Sequence, residues 1–174
     1  MYTRILVPVD GSPTSNHGLA EAIRLAKLTQ AQLRLIHVVD ELSFAMPMDA
    51  YAGYAGYSLT VLRENATRLL ESAKAQVEAA GLKADTVLYD NFEGSVYELV
   101  TKEAAEWPAD LIVLGTHGRR GVGRVLMGSS AENILRYANV PVLLVRAPEA
   151  ALATIKKPQK PMHVNLPSAA LAIE

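Results

Sequence analysis

The feature that most constrains this chain is a punctuated alternation of short aliphatic runs with longer stretches of helical period. Ile5-Leu6-Val7-Pro8-Val9 runs into Asp10-Gly11-Ser12-Pro13, as a buried strand closed by a turn should. Ser12 followed by Pro13 predicts a helix start, with Ser12 as N-cap and Pro13 at the first helical position. Leu19, Ala22, Ile23 and Ala26 continue it, and Gln32 to Val39 reads as a second strand. Leu59, Leu62, Ala66, Leu69, Leu70, Ala73 and Val77 form one stripe, which predicts a long helix from about Ser58 to Ala80, stopped by Gly81. Asp85 to Tyr89 is a weaker strand, and Gly94-Ser95 opens a helix that turns Val96, Leu99, Val100 and Ala104 inward. Ala109 to Gly115 is a strong buried strand, a short helix spans about Ser130 to Tyr137, and Val140 to Val145 is the last strand.

Strands alternating with helices imply a parallel sheet covered on both faces. Five strands joined by right-handed crossovers make an α/β, doubly wound sheet. Such sheets bind ligands at the carboxyl ends of the strands, where the strand order reverses. The ends concerned are Asp10, Val38 to Asp40, and Gly115.

Composition narrows the class. The chain has 174 residues, 50% hydrophobic and 20% charged, which suits one globular domain burying roughly 70% of its unfolded surface. Seventeen basic residues against 18 acidic ones give a net charge of −1, so no nucleic-acid partner is expected. With no cysteine, a disulfide scaffold, a zinc ribbon, an iron–sulfur site and a thiol nucleophile are excluded. No apolar run reaches ~18 residues, so no membrane span is expected. The apolar stretch after Met1-Tyr2-Thr3-Arg4 is too short for a signal peptide, and a cytoplasmic location is the expectation.

Two regions lie outside the alternation. Residues 40–57 mix Phe44, Met46, Met48, Tyr51, Tyr54 and Tyr57 with Pro47, Gly53 and Gly56, and predict a long loop. It is either a binding loop or lid, or an apolar loop packed on the surface or at a subunit contact. Residues 147–174 carry Pro148, Pro158, Pro161 and Pro167 with Lys156, Lys157 and Lys160, and read as a solvated tail. The expected division is a domain over 1–146 and a tail over 147–174.

The chemistry concentrates in Gly115-Thr116-His117-Gly118-Arg119-Arg120-Gly121-Val122-Gly123-Arg124-Val125-Leu126-Met127-Gly128-Ser129-Ser130. This stretch begins at the carboxyl end of a strand and finishes at a helix N-terminus. Glycines let the backbone approach an anion without a Cβ in the way. Amides at a helix start, with the dipole behind them, favour phosphate. Ser129 and Ser130 add hydroxyls, and Arg119, Arg120 and Arg124 add charge, which suits a di- or triphosphate. The ligand-free reading is that Ser129-Ser130-Ala131-Glu132 is a capping box. Neither G-x-x-x-x-G-K-[ST] nor a G-x-G-x-x-G after the first strand is present.

Gly115-x2-Gly118-x9-Gly128-Ser129 resembles the nucleotide-binding motif of the universal stress protein family. Ile5 to Ser12, the strand Asp110 to Gly115, and Asn139 to Val145 resemble that family's other landmarks in the same order, so the likeness covers about residues 1–146. The resemblance implies a Rossmann-like fold of five parallel strands in the order 3-2-1-4-5. It also implies ATP, with magnesium or manganese, at the switch point, and a homodimer paired through the last strand. Under it Gly115 and Gly118 would line the phosphates and ribose, and Gly128, Ser129 and Ser130 would hold the phosphates. Asp10 would meet the ribose or a metal-linked phosphate, Pro8 and Val9 would flank the sugar and base, and Val38 would offer main-chain contacts to adenine. From residue type alone, Arg119 and Arg120 read as solvated loop charges, or one of them, Arg119 first, reaches the triphosphate.

Bland readings stand beside several of these. Asp10 could instead close an Asx turn for Gly11 and Ser12. His37, in an apolar strand, reads as a packed core or interface histidine. His117 sits in the glycine loop without a partner carboxylate fixed by spacing, so no catalytic residue is assigned. Val140 to Val145 is continuous aliphatic sequence at an expected sheet edge, which either pairs with a second copy or is covered by the C-terminal tail. An ATP-binding regulatory or sensory protein in a stress response, with an unknown protein partner, is the leading expectation. The alternatives are a slow ATPase or phosphotransferase, and a nucleotide-free dimeric scaffold.

Overall fold

The computed structural model describes residues 1–39, 55–90, 94–116 and 127–146, with side chains in the second helix described from residue 60 onward. Its elements run β1 (Arg4–Pro8), α1 (Pro13–Thr29), β2 (Gln32–Val38), α2 (Ala55–Ala79), β3 (Ala84–Tyr89), α3 (Val96–Glu106), β4 (Leu111–Gly115), α4 (Ser129–Tyr137) and β5 (Val142–Val145). All five strands pair in parallel, in the order β3-β2-β1-β4-β5. The order reverses between β1 and β4, which makes their carboxyl ends the switch point.

The pleat sorts the aliphatic residues. Ile5, Val7, Leu33, Leu35, Leu111 and Val113 share one face and are buried against Leu19, Ala22 and Ala26 of α1 and Leu70, Ala73 and Val77 of α2. Leu6, Ile36, Ile112 and Leu114 point the other way, onto Val100 and Ala104 of α3, Trp107 just after it, and Ala131 and Ile134 of α4. Burial on both faces is why the central strands read as continuous aliphatic runs rather than alternating ones.

The second face also holds charge. Arg34 of β2 donates from Nη1 to Glu103 Oε1 at 2.8 Å and from Nη2 to Asp85 Oδ2 at 3.2 Å. Its guanidinium carbon lies 4.6 Å from the centre of the Trp107 ring, a cation–π geometry. Tyr89 donates its hydroxyl to the other oxygen of buried Glu103 at 2.8 Å. Burial, then that bond and the Glu103 charge, push the Tyr89 phenol up to about 12.

Several element boundaries differ from expectation for local reasons. β4 begins at Leu111 rather than Ala109 because Asp110 turns aside to tie the amino ends of two strands. Its carboxylate accepts from Thr3 N and Thr3 Oγ1 at 2.7 Å and from Arg4 N at 3.0 Å. Burial is the largest single influence and works upward, yet these bonds together leave the Asp110 carboxyl below its usual value. Helix α2 starts at Ala55, so residues 55–57 of the expected loop are helical, and 40–54 lie outside the described residues. The expected tail over 147–174 lies outside them too. Among the described residues, no helix is long and apolar enough to cross a membrane.

Candidate functional site

Two strand-to-helix turns meet at the switch point. The first follows β1. Pro8 is half-buried, Val9 buried and Asp10 half-buried. Gly11 has φ +77°, the left-handed region that side chains avoid, and a Cβ there would meet Leu69 Cδ1 of α2 at 2.9 Å. Asp10 Oδ1 accepts from Ser12 N at 2.9 Å, which is the Asx turn that needs no ligand. Asp10 N donates to Ser15 Oγ at 3.1 Å. Ser12 is the N-cap of α1 and its hydroxyl accepts from Ser15 N at 3.1 Å. Ser12, Thr14 and Ser15 are all buried. This turn satisfies much of its own backbone and side-chain polarity internally.

The second turn joins β4 to α4. Gly115 ends β4 and packs on the first turn of α1. A Cβ there would stand 2.5 Å from Thr14 O and 2.6 Å from Thr14 C. From the other side, a Cβ on Gly18 would approach Gly115 N at 3.1 Å. Gly115 therefore has a packing reason as well as its expected ligand role: α1 lies directly on the end of β4. Gly18 belongs to this contact and was not singled out from the sequence, although a glycine within an amphipathic helix is a visible signal of close approach.

Gly128 is the N-cap of α4, with φ −62° and ψ 142°. Its N–H donates to Thr116 O at 2.9 Å, which draws the two ends of the glycine-rich stretch together. Thr116 N in turn donates to Val145 O at 3.0 Å. Ser129 and Ser130 are the first residues of α4 and are exposed. The capping box of the ligand-free reading does not form. Gly128, not Ser129, is the cap, and Glu132 pairs with Arg136 at 3.0 Å. The sequence between these ends, with His117, Gly118, Arg119, Arg120 and Arg124, lies outside the described residues.

The neighbouring strand ends are cross-tied. Val9 N donates to Ile36 O at 2.9 Å, and Val39 N to Tyr89 O at 2.8 Å. His37 is buried and its Nδ1 donates to Val9 O at 2.6 Å, so it is a packed histidine joining β2 to the end of β1. Val38 is half-buried at the end of β2. A groove of about 220 Å³ lined by Val9, Gly11, Asn16, Leu69, Ser72 and Gln76 opens between α1 and α2, not between β1 and β4. Among the described residues no group of three His, Asp or Glu side chains is placed to hold a metal ion.

The universal stress protein family model matches residues 1–146. Universal stress protein MJ0531 of Methanocaldococcus jannaschii is 34% identical over 149 residues, covering 86% of this chain and 85% of that protein. The solved structure of MJ0577, from the same organism, superposes with a TM-score of 0.71 at 28% identity and covers 85% of this chain and 98% of its own. A universal stress protein solved in complex with cAMP superposes with a TM-score of 0.58 at 25% identity, over 83% of this chain and 97% of its own. The strand order, the two glycine turns at the switch point and these matches agree: the chain belongs to the universal stress protein family.

Proposed function

We propose that this protein binds ATP at the switch point and acts as a dimeric regulatory protein whose nucleotide occupancy is read by a protein partner. One observation carries the reading. Gly11 is accounted for by its positive φ and Gly115 by its packing on Thr14, whereas Gly128 has φ −62° and ψ 142°, which any residue adopts. Its conformation gives no reason for glycine. A phosphate seated on the amides of Ser129, Ser130 and Ala131 does, because a side chain at the cap would stand in its path. Asp10, Pro8 and Val9 on one side and Val38 on the other would hold ribose and base. Gly118 and Arg119 would complete the phosphate cradle. A magnesium or manganese ion would arrive with the phosphates, with Asp10 within its outer sphere.

The cAMP-bound relative favours a second reading, in which the ligand is an adenosine monophosphate. Base and ribose contacts are then the same and a single phosphate meets α4. For assembly, β5 is a sheet edge, and Leu143 on it is 37% exposed. Leu135 and Tyr137 of the adjoining α4 are 45% and 53% exposed. An apolar edge of this kind favours antiparallel pairing with a second copy.

The test is to denature freshly purified protein, prepared without added nucleotide, and to identify the released small molecules by chromatography and mass. Near-stoichiometric ATP is the expected result. Mostly ADP would move the reading toward turnover, and AMP or cAMP toward the second ligand. Release of nothing, followed by no uptake of ATP with magnesium, would overturn it.

A further inference from the structure

Helix α2 is longer than the sheet it covers. Its 25 residues make about 37 Å of helix, against about 23 Å for the seven residues of β2. Leu70, Ala73 and Val77 are spent on the main core. One and two turns further toward the N-terminus, Ala66 and Leu62 leave that core and form a separate buried cluster with Val39 and Leu88. Val39 is the first residue beyond β2, and its N–H is held by Tyr89 O at 2.8 Å. Residues 62–66 of α2 therefore stand over the carboxyl ends of β2 and β3, beside the main chain assigned above to the base.

Among the described side chains, little apolar area fixes them there. Leu62 and Ala66 are small anchors, and beside them Arg63 Nε meets Asp90 Oδ2 at 2.6 Å. The pair joins α2 to the residue following β3, with the Arg63 side chain 63% and the Asp90 side chain 29% exposed. An ion pair of this exposure contributes modestly, which suits a part that must yield to let a ligand in and out.

We propose that residues 62–66 of α2 form the base-side wall of the nucleotide site and that Arg63 and Asp90 are positioning residues that hold this wall over the end of β2. The inference rests on the nucleotide reading above. Opening the wall frees Val39 and loosens the backbone on which a base would lie, so the pair acts chiefly on ligand dissociation.

The experiment compares the full chain with Arg63→Asp, Asp90→Arg and the double variant Arg63→Asp/Asp90→Arg. ATP with magnesium is titrated at low salt, its dissociation rate is measured, and amide exchange is followed across residues 62–68. Each single variant is expected to raise Kd about two- to fivefold, through faster dissociation, with quicker exchange over 62–68 and a melting temperature close to wild type. The double variant restores both affinity and exchange. Faster exchange with unchanged ATP affinity would show that the wall is not part of the site and overturn the proposal. Unchanged exchange would show that the pair does not hold the helix, with the same consequence. If the wild type takes up no nucleotide, the function and the wall fall together, and the exchange data then report separately whether the pair secures α2.

Discussion

The two turns at the switch point use the same parts, a glycine and serines at a helix start, to opposite ends. At the start of α1, Ser12 and Asp10 close the turn on their own backbone, and Ser12, Thr14 and Ser15 are buried. At the start of α4 the cap is Gly128, which brings no side chain, and Ser129 and Ser130 are exposed. A helix N-terminus attracts anions only where its amides can be reached. Under the proposed function the helix start at α1 is sealed scaffold behind the ribose and base contacts, and the start of α4 is where the phosphate would sit. Gly115 links them, because its lack of a side chain lets α1 lie against β4 and brings the sealed turn up to the open one.

The sharpest way to break the comparison is at that link. Gly115→Ala places a methyl 2.5 Å from a backbone carbonyl oxygen that cannot move without shifting α1. A loss of about 3 kcal/mol in urea unfolding is expected, and a loss under about 0.5 kcal/mol would mean the two elements are not in such close contact. The next effect separates stability from binding. Gly128→Asp supplies α4 with a side-chain cap, which raises stability by a few tenths of a kcal/mol. It also sets a carboxylate where phosphate would sit, so ATP affinity falls at least about a hundredfold, or about 2.7 kcal/mol. Retained affinity would contradict the assignment.

Smaller effects follow on the sealed side. Ser12→Ala removes the α1 cap and costs about 1 kcal/mol while changing ATP affinity less than about twofold. A large loss of affinity would show that this turn is open to ligand after all. Away from the site, the Tyr89 phenol is raised to about 12, above its value in the unfolded chain. Its contribution is complete below about pH 10 and is lost as the pH rises through about 12. Ultraviolet titration should show one tyrosine ionising late, and Glu103→Gln should bring it earlier. No late component would remove Tyr89 from the Arg34–Glu103 cluster.

Much of the fold was legible because burial on both faces makes each strand a continuous aliphatic run, and a helix repeats its apolar positions with its own period. The strand order followed from the family resemblance, and the sheet has it. What escaped the sequence depends on residues far away along the chain. Asp110 looks like part of a strand until Thr3 and Arg4 present their donors to it. Arg34, set between two leucines, gives no sign that Glu103 of α3 and Trp107 just after it wait on the opposite side. In the sequence Gly115 reads as a ligand residue, and only the position of Thr14 O gives it a second reason. Asp10 was legible both ways, and the Asx turn is present. The capping box of the ligand-free reading is absent because Gly128, not Ser129, is the N-cap, which puts Glu132 one residue past the box position. Ser95 and Glu98 form such a pair at the start of α3, with Ser95 N donating to Glu98 Oε2 at 2.8 Å. Gly118 and Arg119 lie outside the described residues.

The most direct test of the difference between the two turns is an amide-resolved NMR titration of the full chain with ATP and magnesium. The account predicts large shifts for the amides of Ser129, Ser130 and Ala131 and small ones for those of Ser12, Thr14 and Ser15, with the first set lost in Gly128→Asp. Saturating ATP that leaves the α4 amides unmoved, or that shifts the α1 amides instead, would contradict it.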